Sequence, residues 1–133
     1  MGSGYTLDAT ASGLSTATSA SFDITVGAPI QLLYSVEPTS TVSTIAVSPA
    51  IKVQVQDAGG NLVLTATDSI TLAVNNNPGG GTLSGTLTLA AVSGEATFSD
   101  ISIDKLGSGY TLDAMASGLT TTTSASFDIT VGT

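Results

Sequence analysis

One stretch of 26 residues occurs twice in this chain, and no other feature of the sequence constrains the fold as much. The copies cover residues 2–27 and 107–132, an offset of 105 residues (from 2 to 107) without insertion or deletion. Three aligned positions differ, namely Thr10/Met115, Ser15/Thr120 and Ala17/Thr122. A period of about 100 residues is the size of one β-sandwich module. The chain is therefore predicted to contain one module of a tandem array.

Each copy alternates apolar and polar residues, a period of two that is typical of a β-strand with one buried face. Ser12 and Gly13 interrupt the alternation in the first copy, as a turn would. The apolar positions on either side of this turn are Tyr5, Leu7, Ala9, Ala11, Phe22, Ile24 and Val26. Each copy is therefore predicted to form an antiparallel β-hairpin with one apolar face.

A lone hairpin is marginally stable in water, because nothing covers its apolar face. We therefore predict that residues 1–27 are the C-terminal hairpin of a preceding repeat and that residues 28–133 form the complete module. The short Gly27-Ala28-Pro29 junction predicts modules stacked end to end with little bending. Met1 stands where the repeat carries Leu106, so export and anchoring segments are expected outside this sequence.

The composition favours an all-β fold. Apolar residues make up 41% of the chain but aromatic residues only 5%, so the core must be built from small and β-branched side chains. The alternating segments predict about eight or nine short strands, which suit an antiparallel two-sheet sandwich with an extra N-terminal hairpin duplicated from its last one. A parallel β-helix is the structural alternative, but its repeat would be several-fold shorter and no such period is visible.

A phase shift occurs late in the module. Ala96 and Phe98 share one parity of the alternation, whereas Ile101 and Ile103 take the opposite one. A shift of one residue within a strand is typical of a β-bulge, or of a strand that passes from one sheet to the other. One of these two features is therefore predicted near Asp100.

Several runs of the sequence carry a family resemblance: VQVQDAGGNLV, ITLAV, GTLSGT, SGEATFSDISI and GSGYTLDAMASGL. Together they resemble the bacterial immunoglobulin-like repeats of large secreted and surface-attached, adhesin-like proteins, over almost all of residues 30–131. The resemblance implies an immunoglobulin-like sandwich of the Greek-key type, in an extracellular array that serves as stalk, spacer or matrix component. It does not imply a catalytic site.

The residue types that are missing, and the charge, exclude several classes of function. Histidine and cysteine are absent, which removes Ser-His-Asp and Cys-His catalytic groups and His-ligated metal sites. Ten acidic residues face two basic ones, and the net charge of −8 argues against nucleic acid or an anionic membrane surface as partner. No apolar run approaches the roughly 18 residues of a membrane span. We therefore expect neither an enzyme nor a membrane-inserted protein.

Calcium is the one ligand that the sequence brings into consideration. Five oxygen-bearing side chains lie in or near predicted loops: Asp57, Asn61, Asp68, Asp100 and Asp104. Ca²⁺ takes six to eight oxygen ligands from such groups. Against this, Asp-x-Gly-x-Asn is first of all a turn composition, and no spacing here matches an EF-hand. No cofactor is expected, and the pairs Asp57/Asn61 and Asp100/Asp104 remain weak calcium candidates.

The N-terminal hairpin is expected to have no partner face within its own chain, which suggests self-association. A second molecule presents the site that its own residues 107–132 fill, so a foreign hairpin would fit it nearly as well. Head-to-tail exchange of identical elements gives oligomers or fibres when the contact does not close. The side chains expected to carry this contact are Tyr5, Leu7, Phe22, Ile24 and Val26.

We therefore expect a non-enzymatic structural repeat of a bacterial extracellular array, with copies of itself or neighbouring repeats as partners. The alternative is an adhesin-type binding module that recognises carbohydrate or a host protein through loops such as residues 75–81. Carbohydrate sites normally use exposed aromatic side chains, whereas Tyr5, Tyr34 and Tyr110 all lie in predicted strands. This difference favours the structural role.

Overall fold

The computed structural model describes residues 2–132, in which the secondary structure consists of 16 short β-strands and no helix. The strands are β1 (Gly2–Tyr5), β2 (Asp8–Ala9), β3 (Ala17–Thr18), β4 (Phe22–Ile24), β5 (Gln31–Val36), β6 (Thr41–Val42), β7 (Ile51–Gln56), β8 (Ser69–Val74), β9 (Leu83–Ser84), β10 (Thr88–Ala90), β11 (Glu95–Phe98), β12 (Ser102–Ile103), β13 (Gly107–Tyr110), β14 (Leu112–Met115), β15 (Thr122–Thr123) and β16 (Phe127–Thr130). Accordingly, the described residues contain no helix that could cross a membrane.

Strands β5 to β16 build a sandwich. One sheet has the order β10-β8-β14-β15 and the facing sheet the order β11-β7-β5, while β13-β16-β6 and β12-β9 extend the sandwich at one end. Each pair of these strands is antiparallel except β16 with β6, which are parallel. The predicted all-β, immunoglobulin-like sandwich is confirmed.

The core consists mainly of β-branched and other small apolar side chains. Strand β7 is an example: its inward residues Ile51, Val53 and Val55 are completely buried. Burying a side chain of this kind contributes about 1.5–3 kcal/mol. Gln56 also lies inside, although the alternation predicts it outside, and the amide of Gln31 on the neighbouring strand donates to its Oε1 at 3.3 Å. The amide stays hydrogen-bonded and therefore tolerates burial.

The phase shift near Asp100 marks a strand that changes sheets. Strand β11 pairs with β7, whereas β12 pairs with β9. Ala96, Phe98, Ile101 and Ile103 are all buried, so the shift keeps both sets of apolar side chains in the core. Of the two features predicted here, the passage from one sheet to another is the one found.

The sandwich contains twelve strands rather than the eight or nine expected, because several long strands are divided. The C-terminal hairpin is the clearest case. Its first arm is divided at Thr111, and β13 pairs with β16 while β14 pairs with β8 in the other sheet. Gly109 permits the bulge just before this break by adopting a φ of +89°, which only glycine takes up easily. The hairpin therefore spans both sheets.

The chain enters and leaves the sandwich at opposite ends. Strand β5 begins near Gln56 and ends near Lys52, and β6 follows at the far end. Strand β16 runs parallel to β6, with Thr130 beside Val42, so the C-terminal hairpin also leaves there. We call the end near Gln56 the proximal end and the end near Val42 the distal end.

Candidate functional site

The N-terminal hairpin (residues 2–27) and the C-terminal hairpin (residues 107–132) have the same internal structure. The rings of Tyr5 and Phe22 stack with their centroids 6.0 Å apart at an angle of 28°. The rings of Tyr110 and Phe127 stack at 6.1 Å and 27°. The hairpin therefore takes up this arrangement whether or not the sandwich covers it.

Two hydrogen bonds of the aspartates are also repeated. Asp23 accepts the Gly4 amide at 2.9 Å and Asp128 accepts the Gly109 amide at 3.0 Å, so each carboxylate stabilises the bulge beside it. Further along, a threonine hydroxyl donates to an aspartate at 2.6 Å in both copies, the pairs being Thr18/Asp8 and Thr123/Asp113. The local sequence alone accounts for these contacts.

The two hairpins differ in what covers their apolar face. In the C-terminal hairpin the exposed fractions are Tyr110 0%, Leu112 0%, Phe127 3% and Ile129 2%. At the equivalent positions of the N-terminal hairpin they are Tyr5 44%, Leu7 65%, Phe22 38% and Ile24 45%. Four of the five side chains proposed for self-association are therefore exposed.

Val26, the fifth, is half-buried and packs against the core of the sandwich. Its equivalent in the C-terminal hairpin, Val131, is 70% exposed at the distal end. The difference arises because only three residues separate Val26 from Ile30, which is tied to the proximal end by a hydrogen bond from its amide to the Gln56 carbonyl at 2.9 Å. Val26 thus belongs to the junction rather than to the exposed face.

The C-terminal hairpin is held by strands β6 and β8 together with the side chains of Tyr34, Glu37, Ser40 and Asn76. We call this set the hairpin-binding site. Strand β14 pairs with β8 over four residues, and β16 pairs with β6 over two. The N-terminal hairpin has no such neighbours within residues 2–132, where β1 pairs only with β4 and β2 only with β3.

Four side chains of the hairpin-binding site bond to the backbone of the C-terminal hairpin. These bonds run from Tyr34 Oη to the Leu112 carbonyl (2.8 Å), from Asn76 Nδ2 to the Gly109 carbonyl (2.7 Å), from the Ala125 amide to Glu37 Oε2 (2.9 Å) and from the Asp128 amide to Ser40 Oγ (2.9 Å). Because they reach backbone atoms, they do not depend on the side chains of the hairpin.

Tyr34 is the buried member of this group. Burial raises its pKa, and the negative charges of Asp113 and Glu37 raise it further. The hydroxyl therefore keeps its proton and remains a donor to the Leu112 carbonyl.

A matched pair of serines tests how much the covering sandwich matters. Ser124 accepts the Leu112 amide at 3.0 Å and donates to the Ala125 carbonyl at 2.8 Å, and it is buried. Ser19 makes the equivalent bonds in the N-terminal hairpin but is exposed. Ser124→Ala should cost about 1–3 kcal/mol, because it leaves a buried amide without its partner.

Ser19→Ala should change the stability by less than about 0.5 kcal/mol, because water replaces the lost hydroxyl. Urea unfolding followed by circular dichroism measures both effects. Equal losses at the two serines would show that the covering sandwich makes no difference.

At the proximal end, Asp57 connects the N-terminal hairpin to the sandwich. Its Oδ2 accepts the Gly27 amide at 2.9 Å, and its Oδ1 accepts the amides of Gly59 and Asn61 at 3.0 and 2.9 Å. The Gly27 amide and then the Asn61 amide are the main causes that lower the pKa of Asp57 to about 2. The turn thus positions a charged carboxylate that holds the last glycine of the hairpin.

This contact should weaken in acid. The pKa of Asp57 is lower in the folded state than its usual value of 3.8, so its stabilising effect is complete above about pH 4. The effect is lost as the pH falls through about 2, because a protonated carboxyl is a weaker acceptor. The chemical shift of the Gly27 amide proton, measured by NMR, should therefore titrate with a midpoint near pH 2.

Asp57→Asn is the matched control for this titration, since it keeps an acceptor oxygen but cannot ionise. The Gly27 amide should then show no titration over the same range. A midpoint near pH 4 in the unmodified chain would contradict the geometry described here.

The structure separates the four calcium candidates into three places. Asn61 Nδ2 donates to both oxygens of Asp57 at 3.1 Å, Asp100 accepts the Thr86 amide at 3.0 Å, and Asp104 accepts the Thr82 amide at 2.7 Å. The bonds from the amide and hydroxyl of Thr86 lower the pKa of Asp100. Among the described residues, no three Asp, Glu, His or Cys side chains are grouped so that they could share a metal ion. Calcium binding at these residues stays a prediction.

The loop of residues 75–81 is exposed but internally fixed. Asn77 exchanges two hydrogen bonds with Gly81, with its Nδ2 donating at 2.9 Å and its Oδ1 accepting at 2.8 Å. Asn76, as described above, belongs to the hairpin-binding site. The polar side chains at 76 and 77 are thus engaged within the chain, which gives the loop a structural role.

Comparison with known proteins bears on the fold. No family model matches the sequence, and no curated protein matches it. Among solved structures, the chain is similar to a β-glucuronidase from Parabacteroides merdae, with 16% identity, a TM-score of 0.55 and coverage of 82% of this chain and 14% of that enzyme. It is also similar to a glycosyl hydrolase family 2 member from Bacteroides cellulosilyticus, with 14% identity and a TM-score of 0.58. That match covers 85% of this chain and 15% of the enzyme. At these identities the likeness shows the fold alone: this chain shares its β-sandwich with a small part of each enzyme.

Proposed function

We propose that this chain is a non-enzymatic structural repeat of a bacterial extracellular array, in which modules stack end to end as stalk, spacer or matrix component. The observation that carries the proposal is the contrast between Val26 and Val131. Val26 packs on the proximal end of the sandwich, while the equivalent Val131 is 70% exposed at the distal end. The distal end therefore offers the surface that a following module would cover.

The junction described above supplies the geometry for such stacking. Gly27 and Gly132 are equivalent positions, and Gly27 is held by Asp57. In an array, Gly132 would be held in the same way by the aspartate of the next module. Between neighbouring modules this leaves a link of two residues, Ala28 and Pro29, which is too short for free bending.

The surface charge suits such an array. With ten acidic residues and two basic ones, the chain carries a net negative charge. Neighbouring arrays therefore repel one another and stay dispersed in solution. The absence of cysteine fits a sandwich that depends on its core rather than on disulfides. We assign no hydrolytic activity to the chain, since the glycosidases with a similar fold are matched over only 14–16% of their length.

Small-angle X-ray scattering on chains with two, three and four copies of residues 28–132 in series tests the proposal. The maximum dimension should grow by a constant increment per copy. Asp57→Ala at every junction should broaden the distribution of dimensions, because the glycine amides are no longer held. A maximum dimension that does not rise with copy number would exclude a rigid stack.

One observation favours a second function, the adhesin-type binding module. Tyr5 and Phe22 form an exposed, stacked aromatic pair of the kind that carbohydrate sites use. A glycan array probed with the full chain distinguishes the two functions. Binding that is lost on Tyr5→Ala, or on replacement of residues 75–81, would favour the binding module over the structural repeat.

A further inference from the structure

We propose that the N-terminal hairpin is a docking element that inserts into the hairpin-binding site of a second copy of this chain, in place of residues 107–132 of that copy. The proposal deepens the structural role proposed above, because it names the partner of the exposed hairpin face. It stands on contacts within the chain, so it does not require the extracellular location.

The C-terminal hairpin shows how the docked element would lie. The sandwich covers four apolar side chains of this hairpin, Tyr110, Leu112, Phe127 and Ile129. The N-terminal hairpin carries the same residue types at the equivalent positions. The four hydrogen bonds from side chains of the hairpin-binding site reach backbone atoms, as described above. Both kinds of contact are therefore available to residues 2–27.

The three positions that differ between the hairpins do not obstruct docking. In the C-terminal hairpin, Met115 and Thr122 are half-buried and Thr120 is exposed, so none of the three is enclosed by the sandwich. Their counterparts Thr10, Ser15 and Ala17 are smaller. Smaller side chains at partly open positions fit without steric conflict.

The N-terminal hairpin already has the docked conformation. Its ring pair and its aspartate hydrogen bonds match those of the C-terminal hairpin to within 0.1 Å. Binding by an element that is already ordered loses little conformational entropy. Docking therefore requires the hairpin-binding site to be open, but no rearrangement of the hairpin.

The site that receives it must belong to another molecule. In the docked position, Gly27 would have to lie at the distal end, where a Cβ added at Gly132 would lie 3.4 Å from Val42 Cγ1. Ile30, however, begins the sandwich at the proximal end, and β5 alone spans about 20 Å. Three residue steps connect Gly27 to Ile30 and can span only about 11 Å, so the hairpin cannot reach the site of its own chain.

Residues 2–132 contain two copies of the hairpin and one hairpin-binding site, which determines when docking occurs between two copies of this segment. Exchange of one hairpin for an equivalent one buries a similar face, so intact chains gain little net burial by it. Weakening the C-terminal hairpin of the acceptor removes the competitor and should shift the balance toward docking. This dependence distinguishes docking from a nonspecific contact between exposed faces.

Site-directed cross-linking between two full-length chains tests the proposal. In the C-terminal hairpin, Asp113 lies opposite Ala73 of β8, and Asp8 is the equivalent of Asp113. A donor carrying Asp8→Cys is mixed with an acceptor carrying Ala73→Cys and Phe22→Asp, which disables the acceptor's own N-terminal hairpin. Side chains directly opposite each other in antiparallel strands lie about 5 Å apart, within reach of a short thiol cross-linker. The chain has no other cysteine.

The expected result is a donor–acceptor dimer that forms faster than with Thr97→Cys in the acceptor, because each exchange brings the two thiols together and the cross-link then retains the dimer. Thr97 is exposed on β11, away from the hairpin-binding site, and reports random collision. Phe127→Asp in the acceptor should raise this advantage to about tenfold, because it weakens the competing hairpin. Phe22→Asp in the donor should abolish the difference.

Cross-linking at Ala73→Cys that is no faster than at Thr97→Cys, or that Phe22→Asp in the donor does not reduce, would overturn the proposal. The proposal would also be overturned if donor chains formed cross-links only with other donor chains, through Asp8→Cys. The main comparison survives even if the acceptor with Phe127→Asp fails to fold, since the other variants leave buried side chains in place. A negative outcome leaves the proposed stacking of modules intact, because scattering tests that separately.

Discussion

Phe127→Ala is expected to lower the free energy of unfolding by about 3–5 kcal/mol, the usual cost of removing a phenylalanine from a core. Phe127 is 3% exposed and stacks on the fully buried ring of Tyr110. Phe22→Ala is the matched control, since Phe22 has the same neighbours in sequence and the same ring partner but is 38% exposed. Its replacement should cost about 1 kcal/mol or less.

Urea titrations of the two variants, followed by far-ultraviolet circular dichroism, give this difference directly. The comparison isolates the effect of the covering sandwich, because the two hairpins differ at only three positions and share the same ring pair. Similar losses for the two variants would mean that the N-terminal hairpin is covered as well. A small loss at Phe127 would mean that the C-terminal hairpin is not part of the core.

Gly79→Ala should destabilise the chain by about 3 kcal/mol, because a Cβ there has no room. It would meet the Leu106 carbonyl oxygen and lie 2.5 Å from Tyr110 Oη. The hydroxyl of Tyr110 donates to the Lys105 carbonyl at 2.8 Å, so a shift of the ring would also break that bond. Thermal unfolding of the variant and the unmodified chain measures the effect.

Gly80→Ala is the control in the same loop. A Cβ at Gly80 has no neighbour within 4 Å, but its φ of +66° disfavours alanine, and this costs about 1 kcal/mol. If Gly79→Ala destabilises no more than Gly80→Ala, the loop is not packed against Tyr110 in solution.

Local alternation predicts the parts of this fold that depend on neighbours in sequence. It places Ile51, Val53 and Val55 of β7 on the buried face, and it marks the phase shift near Asp100 as either a bulge or a passage between sheets. Both follow because a side chain's face is determined by its parity along the strand. The duplication predicted two hairpins, and the repeat period predicted a sandwich module.

Contacts between distant residues could not be predicted in this way. Tyr34 and Leu112 are 78 residues apart, and Glu37 and Ala125 are 88 apart, so nothing in the local pattern of either indicates the other. Val26 was expected to lie on the exposed face because its parity matches Phe22. The short connection to β5 moves it onto the sandwich instead.

The calcium candidates show the same limit. Oxygen-bearing residues in loops are easy to identify, but whether loops converge depends on the whole topology. Here Asp57 and Asp100 each accept backbone amides in separate turns. Turn composition was therefore a good predictor of local structure and carried no information about shared ligands.

The opposite placement of the two chain ends has a consequence for mechanical load. Tension applied along an array would pull β5 toward the proximal end and β16 toward the distal end. Strand β16 is bound to β6 by parallel bonds, with Ile129 beside Thr41 and Thr130 beside Val42. These hydrogen bonds lie perpendicular to the applied force. To separate, the two strands would have to slide past each other, so the bonds would break together rather than one at a time. A sandwich connected in this way resists stretching in shear.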